Sequence, residues 1–324
     1  GSRTAFQRVV AASAIPPGGT DVGGRSTGGR CKRCEPTPSA WGFLRDAPCR
    51  RLDAADAAAA LASRLDELAF LGDSVAEQLF NGAVWARAAA AGASGGAESM
   101  EVAIHEWYCI PSAPSSIAKS WELSGLVQPG SPRRHRRALV ISFGNWYNYD
   151  RRPLAWDCRC TPLSSGCDDV PEAEAGQEQL NASASSPFHT CLDRAEFNRD
   201  MNQCSYSRDL SRLARWMELH RGSLPGHVLW LDSTPQHGDE YAARNGNGTW
   251  RNTLAHQVLS AFAPSVGLVR LQPVLDDRWD SHCSTATAKD GLHWCYESDA
   301  FEEYLSTVLT AVVAAVDAAA PPVP

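Results

Sequence analysis

Short apolar runs alternate with longer amphipathic stretches over most of this chain. The apolar runs predict five strands, at residues 68–71, 102–104, 138–143, 228–231 and 267–271. The amphipathic stretches predict helices at residues 52–65, 75–91, 194–221 (where a break is allowed), 250–262 and 298–319. Strands that alternate with helices are typical of a parallel sheet covered by helices on both faces, so we expect an α/β fold.

Composition divides the chain into three parts. Residues 1–37 are rich in Gly, Pro, Ser and Arg without a period, which predicts a flexible N-terminal stem. Residues 38–320 carry the periodic pattern and predict one globular domain. Within it, residues 157–205 are polar and rich in Cys, Glu and Ser, which indicates an insertion held by disulfides.

The charge balance limits the possible partners. The net charge is −7 and the pI about 5.7, which argues against nonspecific nucleic-acid binding. The basic run at 133–137 is interpreted either as a solvated loop before a strand or as a contact for an anionic glycan or phosphate. Residues 305–320 are apolar but carry Asp317, so we expect a surface helix and no membrane contact within this sequence.

The cysteines and glycosylation sequons point to the secretory pathway. The chain has 11 cysteines and two acceptor sequons, at Asn181 and Asn247. The close pairs at 31–34 and 158–160 lack the further Cys or His that would complete a zinc site, so disulfides are favoured and no metal is expected. An odd number leaves at least one thiol outside intramolecular pairs, and the connectivity stays open.

Three residues offer the chemistry of a serine hydrolase or acyltransferase. Ser74 follows the first apolar run, while Asp290 and His293 lie three residues apart in a predicted polar loop before the last helix. On a single turn this spacing places both side chains on one side, where His293 could serve as base and Asp290 could orient it. The alternatives are a helix N-cap for Ser74 and a structural histidine packed beside Trp294.

An acyl-transfer site also needs donors for the oxyanion. The backbone N–H of Ser74, at the start of a helix, is one candidate. The side chain of Asn145, after the third predicted strand, is the second, and Gly144 would allow the backbone a close approach. An Asx turn at the strand end is the alternative for Asn145.

Substrate contacts are open to more than one interpretation. His237 follows the fourth strand and is a candidate on the substrate side, or a loop histidine bonded to its neighbours. Asp73 is a further candidate beside Ser74. The aromatic residues Trp146, Tyr147 and Trp250 could stack on sugar rings, although core packing is the more common role of any single Trp.

Six motifs in a fixed order resemble a known family. They are Cys49-Arg-Arg-Leu-Asp-Ala54, Phe70-Leu-Gly-Asp-Ser74, Phe143-Gly-Asn-Trp146, Ser233-Thr-Pro-Gln-His237, Arg278-Trp-Asp280-Ser-His282 and Asp290-Gly-Leu-His-Trp-Cys295. The chain resembles the PC-esterase branch of the SGNH/GDSL superfamily, and in particular the plant trichome-birefringence-like polysaccharide O-acetyltransferases. It departs from the family pattern at Val75-Ala-Glu-Gln78, where an Arg and an amide residue are usual, and at Gly291, where a Cys is usual.

The resemblance implies a Golgi-luminal enzyme, membrane-anchored in its full length, that acetylates wall polysaccharide through an acyl-serine. It implies that Ser74, Asp290 and His293 form the triad and that Asn145 lies near the oxyanion. The implied fold of residues 38–320 is a flavodoxin-like α/β/α sandwich with a smaller disulfide-stapled lobe. The implied partners are an acyl donor, as co-substrate and without any other cofactor, and a polysaccharide or oligosaccharide acceptor.

Two other functions remain possible on the sequence alone. A secreted carbohydrate esterase would form the same acyl-enzyme but pass the acyl group to water, and its location would be extracellular. A non-catalytic glycan-binding protein could keep the fold without the chemistry, although the complete Ser, Asp and His set argues against it.

Overall fold

The computed structural model describes residues 8–10, 52–94, 100–106, 110, 114–145, 197–235, 249–271, 275, 282–284, 289–294, 296 and 298–319. For some of these residues it describes the backbone and not the side chain: 8–10, 93–94, 114–116, 197–205, 249, 282–284 and 289–292. The strands are β1 (Arg8–Val10), β2 (Glu67–Gly72), β3 (Glu101–Glu106), β4 (Arg137–Ser142), β5 (His227–Leu231), β6 (Gly267–Val269), β7 (His282–Ser284) and β8 (Lys289–Trp294). The α-helices are α1 (Ala54–Ala62), α2 (Ser74–Ser94), α3 (Pro114–Leu123), α4 (Phe197–Leu219), α5 (Thr249–Phe262) and α6 (Asp299–Ala319).

A central sheet of five parallel strands organises the domain. Its order is β3-β2-β4-β5-β6, and β1 pairs antiparallel on the outer edge of β3. If the five parallel strands are numbered by their order in the chain, they lie side by side in the order 2-1-3-4-5. This is one of the common strand orders of doubly wound sheets. The predicted α/β class with a central parallel sheet is confirmed.

Helices cover both faces of this sheet, as the continuous apolar strands require. Along β2, Leu68 and Phe70 belong to one buried cluster, while Ala69 and Leu71 belong to the other. The first cluster lies under α1, α2 and α6, and the second under α3, α4 and α5. Every residue of β2 and of β4 is buried, so these two strands form the centre of the molecule.

The predicted elements match the structure best where the pattern is long. All five predicted strands are present with ends that move by up to two residues, and the stretch predicted at 194–221 forms one unbroken helix, α4. The sequence analysis missed α3, a short helix with few apolar positions, and β1, which lies within the predicted stem. Only three residues make up β1, and their pairing with β3 is a tertiary contact that no local pattern reveals.

The prediction of a polar loop at 290–293 is wrong. These residues lie in β8, which pairs antiparallel with β7 in a separate two-stranded sheet, with His282 opposite Trp294. The segment has no apolar run, and its strand conformation comes from this pairing. Neighbouring side chains alternate between the faces of a strand, so the single-turn argument for Asp290 and His293 does not apply.

The basic run at 133–137 lies at the amino end of β4 and is partly committed to ion pairs. Arg137 is buried and its Nε lies 2.7 Å from Oε2 of Glu67, its register partner on β2. Arg136 pairs in the same way with Asp66, at 2.8 Å. Arg133 and His135 are exposed, as the solvated-loop interpretation requires, and 78% of the Arg133 side chain is accessible. The run therefore helps to fix β4 beside β2.

Several predictions lie outside the described residues. They concern the rest of the stem at 1–37, residues 157–196 of the insertion predicted at about 157–205, and the sequons at Asn181 and Asn247, whereas residues 197–205 form the start of α4. The disulfide framework falls there as well. Among the described helices, none combines the length and the apolar character needed to cross a bilayer.

At Gly72 the backbone of β4 lies too close to β2 to leave room for a side chain, which offers a test of the fold. A Cβ added there would lie 2.0 Å from the carbonyl oxygen of Ser142. We expect Gly72→Ala to lower the free energy of unfolding by at least about 3 kcal/mol, since neither backbone can move without breaking the sheet. Denaturant titration measures this change.

Gly92 provides the matched control, because a Cβ at this exposed position of α2 would meet nothing within 4 Å. Gly92→Ala should raise stability by about 0.5–1 kcal/mol through helix propensity alone. Equal stability of the two variants would contradict the close approach.

Candidate active site

The candidate site lies at the carboxyl edge of the central sheet. Ser74 comes directly after β2, and Asn145 follows β4, the neighbouring strand. After β2 the chain forms β3 on one side of β2 and then β4 on its other side. The direction in which strands are added to the sheet therefore reverses between β2 and β4. Doubly wound sheets bind their ligands in the crevice outside such a reversal.

Ser74 is the first residue of α2, and the preceding residue caps this helix. The backbone N–H of Val75 donates to Oδ1 of Asp73 at 3.0 Å, and that of Glu77 donates to the Asp73 carbonyl at 3.1 Å. A carboxylate that accepts from the second N–H of a helix is acting as its N-cap. The capping role considered for Ser74 is therefore filled by Asp73.

The side chain of Ser74 contacts His293 instead. Its Oγ lies 2.7 Å from Nε2 of His293, a residue 7% exposed and delivered by β8. When the imidazole is neutral with its proton on Nδ1, the hydroxyl donates to Nε2, as a base-activated serine requires. Asp290 shares β8 with His293, but its side chain lies outside the described residues, so its role stays a prediction.

Asn145 lies beside the same carboxylate. Its Nδ2 donates to Oδ2 of Asp73 at 3.2 Å, and the side chain is buried, with 4% exposed. This contact spans 72 positions of the chain, whereas an Asx turn would use a backbone group two residues away. An ionised carboxylate only accepts hydrogen bonds, so Asp73 makes the amide present its nitrogen and leaves its second N–H for another acceptor.

Gly144 is required by the packing behind Asn145. Its φ is +139°, and a Cβ there would lie 2.5 Å from Oγ of Ser233. That hydroxyl donates to the Phe143 carbonyl at 2.9 Å, while Nη1 of Arg251 donates to the Gly144 carbonyl at 3.1 Å. Ser233 and Arg251 therefore hold the loop between β4 and Asn145, and the role of Gly144 at the oxyanion stays a prediction.

Burial sets the electrostatics of the site. Asp73 is 1% exposed, and this desolvation raises its pKa from 3.8 to about 6. Four neighbouring groups act in the opposite direction and lower the pKa: the Val75 N–H, the nearby His293, the Asn145 amide and the Arg251 guanidinium. At neutral pH the carboxylate is thus charged but costly to bury, a condition typical of functional sites.

Asp73 was also a candidate for substrate contact. Asp73 is buried and its carboxylate is hydrogen-bonded to Val75 and Asn145. It therefore supports these two residues and is not exposed to a substrate. Arg251, fully buried on α5, belongs to the same support and was missed by the sequence analysis. Nothing in its local sequence distinguishes it from the many exposed arginines.

A second acid–histidine pair lies at the end of β5. Nε2 of His256, on α5, lies 2.6 Å from Oδ1 of Asp232, and the other carboxylate oxygen accepts the Leu271 N–H at 3.2 Å. These contacts join β5 to α5 and to the segment after β6. The pair therefore has a structural role, and the sequence analysis did not identify it.

The remaining predicted residues fall into two groups. Trp146, Tyr147 and His237 lie outside the described residues. Trp250 packs edge-on against Tyr206, with ring centroids 5.8 Å apart, which is the core role rather than a sugar platform. Across the part of the chain that the structure describes, no three His, Cys, Asp or Glu side chains are grouped as a metal site.

No family model matches this chain, and no curated protein matches it at a significant level. The resemblance to PC-esterases therefore depends on the six short motifs and their order. The geometry around Ser74 is independent of that resemblance.

The raised pKa of Asp73 predicts a specific pH dependence of stability. Between about pH 4 and pH 6 the unfolded chain releases this proton while the folded protein retains it, so the folded state loses stability as pH rises. The full cost, on the order of 3 kcal/mol, is present above pH 6. In Asp73→Asn this cost is absent, so the variant should gain about that much relative to wild type between pH 4 and pH 7.

Denaturant titrations of both proteins at several pH values measure this difference. Asp56→Asn, at an exposed position of α1, is the control and should follow the wild-type curve closely. Parallel curves for Asp73→Asn and wild type would contradict a costly buried charge at Asp73.

Proposed function

We propose that this protein is a serine-dependent acyltransferase of the SGNH/GDSL type that O-acetylates a polysaccharide through an acyl-serine intermediate. The observation that supports it most is the 2.7 Å contact between Ser74 Oγ and His293 Nε2. A nucleophile at a helix N-terminus, a base in contact with it and an amide donor nearby form the set of groups that acyl transfer requires.

In the first half-reaction, Ser74 Oγ attacks the carbonyl carbon of the acyl donor. His293 Nε2 takes the hydroxyl proton as the new C–O bond forms. The tetrahedral intermediate then collapses, the bond to the donor's leaving group breaks, and the imidazolium returns the proton to that group. The result is an ester on Ser74 and a neutral His293.

In the second half-reaction, a sugar hydroxyl of the acceptor attacks the acyl-serine. His293 removes the proton of that hydroxyl and passes it to Ser74 Oγ as the serine ester breaks. The sugar leaves as an ester and the enzyme returns to its starting state. Water in place of the sugar would give hydrolysis, so exclusion of water from the acceptor cleft decides between transferase and esterase.

Two N–H groups are assigned to the oxyanion. The backbone N–H of Ser74 lies at the N-terminus of α2, where the helix dipole favours negative charge. The second N–H of Asn145 is available because Asp73 accepts the first. Asp73 is therefore proposed to orient the amide toward the oxyanion.

The acceptor and the compartment follow from the resemblance and the composition. Polysaccharide acetylation is the activity of the family that the six motifs resemble, with Asp290 as the third triad member. The 11 cysteines and two sequons fit the Golgi lumen, where disulfides persist. A secreted esterase is the alternative within the same chemistry.

The acyl-serine itself can be detected by intact mass. After brief incubation with an activated acetyl ester, wild type should gain about 42 Da, and Ser74→Ala should gain nothing at that position. Ester turnover should fall at least about 1,000-fold in Ser74→Ala and in His293→Ala, and the double variant should be little worse than either.

Ser63→Ala, at an exposed hydroxyl of α1's C-cap, is the matched control and should label and turn over like wild type. Oligosaccharide acceptors added to the labelled enzyme separate transfer from hydrolysis by the appearance of acetylated sugar. Additive losses in the double variant would contradict the joint action of Ser74 and His293. A folded wild type that forms no adduct and turns over no ester would contradict the proposal and favour a glycan-binding role.

The oxyanion assignment is tested by Asn145→Ala. Loss of one oxyanion donor should lower kcat about 100-fold or more with a smaller effect on KM, since the donor acts mainly in the transition state. Steady-state kinetics on the same ester measures both constants. An unchanged kcat in a folded variant would restrict Asn145 to a structural role.

A further inference from the structure

The helix that begins with Ser74 also holds the strand that carries His293. One turn after Ser74, the side-chain amide of Gln78 faces the backbone of Trp294. Its Nε2 donates to the Trp294 carbonyl at 2.8 Å, and its Oε1 accepts the Trp294 N–H at 3.1 Å. Gln78 is 5% exposed and Trp294 is fully buried, so both hydrogen bonds are protected from water.

Two further residues of α2 extend this contact. Asn81 Nδ2 donates to the hydroxyl of Tyr296 at 3.2 Å, and the ring of Trp85 packs edge-on against the Tyr296 ring, with centroids 4.7 Å apart. Gln78, Asn81 and Trp85 recur at the three- and four-residue spacing of one helix face. This face therefore holds the segment that runs from His293 toward α6.

We infer that Gln78 is a positioning residue that sets the distance between His293 and Ser74. The inference rests on the proposed function, because it assigns Gln78 a role in aligning that base with that nucleophile. Within the described residues, β8 belongs to the small two-stranded sheet and shares no ladder with the central sheet, so contacts of this kind help to place it. Gln78 is hydrogen-bonded to the backbone of Trp294, the residue after His293, and lies four positions after Ser74 on α2.

The side-chain amide of Gln78 pairs its donor and its acceptor with the carbonyl and the N–H of Trp294. Conservative substitutions of Gln78 therefore test the two hydrogen bonds. Gln78→Met keeps the length of the side chain and removes both hydrogen bonds. Gln78→Glu keeps the acceptor for the Trp294 N–H, but its ionised form places a second oxygen against the Trp294 carbonyl. Once protonated, Glu regains a donor and can restore both hydrogen bonds.

We expect kcat for ester turnover to fall about 10- to 100-fold in Gln78→Met with KM nearly unchanged, since a small misplacement of the base affects the chemical step. Gln78→Glu should be impaired at neutral pH, and its activity relative to wild type should rise as pH falls. Burial raises the pKa of a carboxyl group, which brings this recovery toward the working range. The other titratable groups of these segments, among them Asp73, Glu77, Asp290, His293 and Tyr296, are common to both proteins.

Ile117→Ala, in the buried cluster on the face of the sheet opposite α2, controls for loss of stability and should leave kcat per folded molecule unchanged. An activity ratio of Gln78→Glu to wild type that does not change with pH would overturn the inference. So would a Gln78→Met variant with wild-type kcat.

The His293 imidazole resonances, assigned from their absence in His293→Ala, give a readout that needs no activity. They should move in Gln78→Met and stay in place in Ile117→Ala. A wild type without ester turnover would overturn the proposed function, and these resonances would then test the contact by themselves. Unchanged His293 resonances in Gln78→Met would overturn the inference in either case.

Discussion

The burial of one carboxylate, that of Asp73, is the constraint on which the site depends. This group begins α2 by capping Val75 and fixes the amide of Asn145, while Arg251 and His293 lie near enough to influence its charge. A single carboxylate thereby links the ends of β2 and β4. Because desolvation opposes its ionisation, these partners together lower its pKa and favour the charged form at neutral pH.

The candidate nucleophile and base come from different sheets. Ser74 belongs to the edge of the central parallel sheet, whose position is set by two buried helical layers. His293 belongs to β8, whose ladder partner among the described strands is β7. Side chains of α2 contact the end of β8 and the second residue after it, so contacts to this helix add to the β7–β8 pairing in holding the strand that carries His293.

Much of the fold could be predicted from the sequence, because β2 and β4 are continuous apolar runs and such runs form buried parallel strands. The positions of Ser74 and Asn145 after these strands were predictable for the same reason. The sequence could not reveal β8, since its conformation comes from pairing with β7 and not from its own pattern. Arg251 and the Asp232–His256 pair were also hidden, because buried charges are recognised only by their partners.

Gln78 illustrates a signal that was present but not used. It follows Ser74 by one helical turn and ends the stretch Val75-Ala-Glu-Gln78, where the sequence departs from the pattern of the family it resembles. What the sequence lacks is the partner, since the amide binds backbone atoms 216 positions away. Contacts to backbone leave no complementary side chain to search for.

The pairing of β1 along β3 determines how the sheet meets its surroundings. β3 carries the apolar residues Val102, Ala103 and Ile104, and β1 satisfies the backbone groups of its outer side. At the opposite edge, β6 is only three residues long, which limits its ability to recruit another strand. A chain shortened from its N-terminus past Val10 would therefore expose an apolar edge competent for intermolecular strand addition, an edge that β1 covers in this structure.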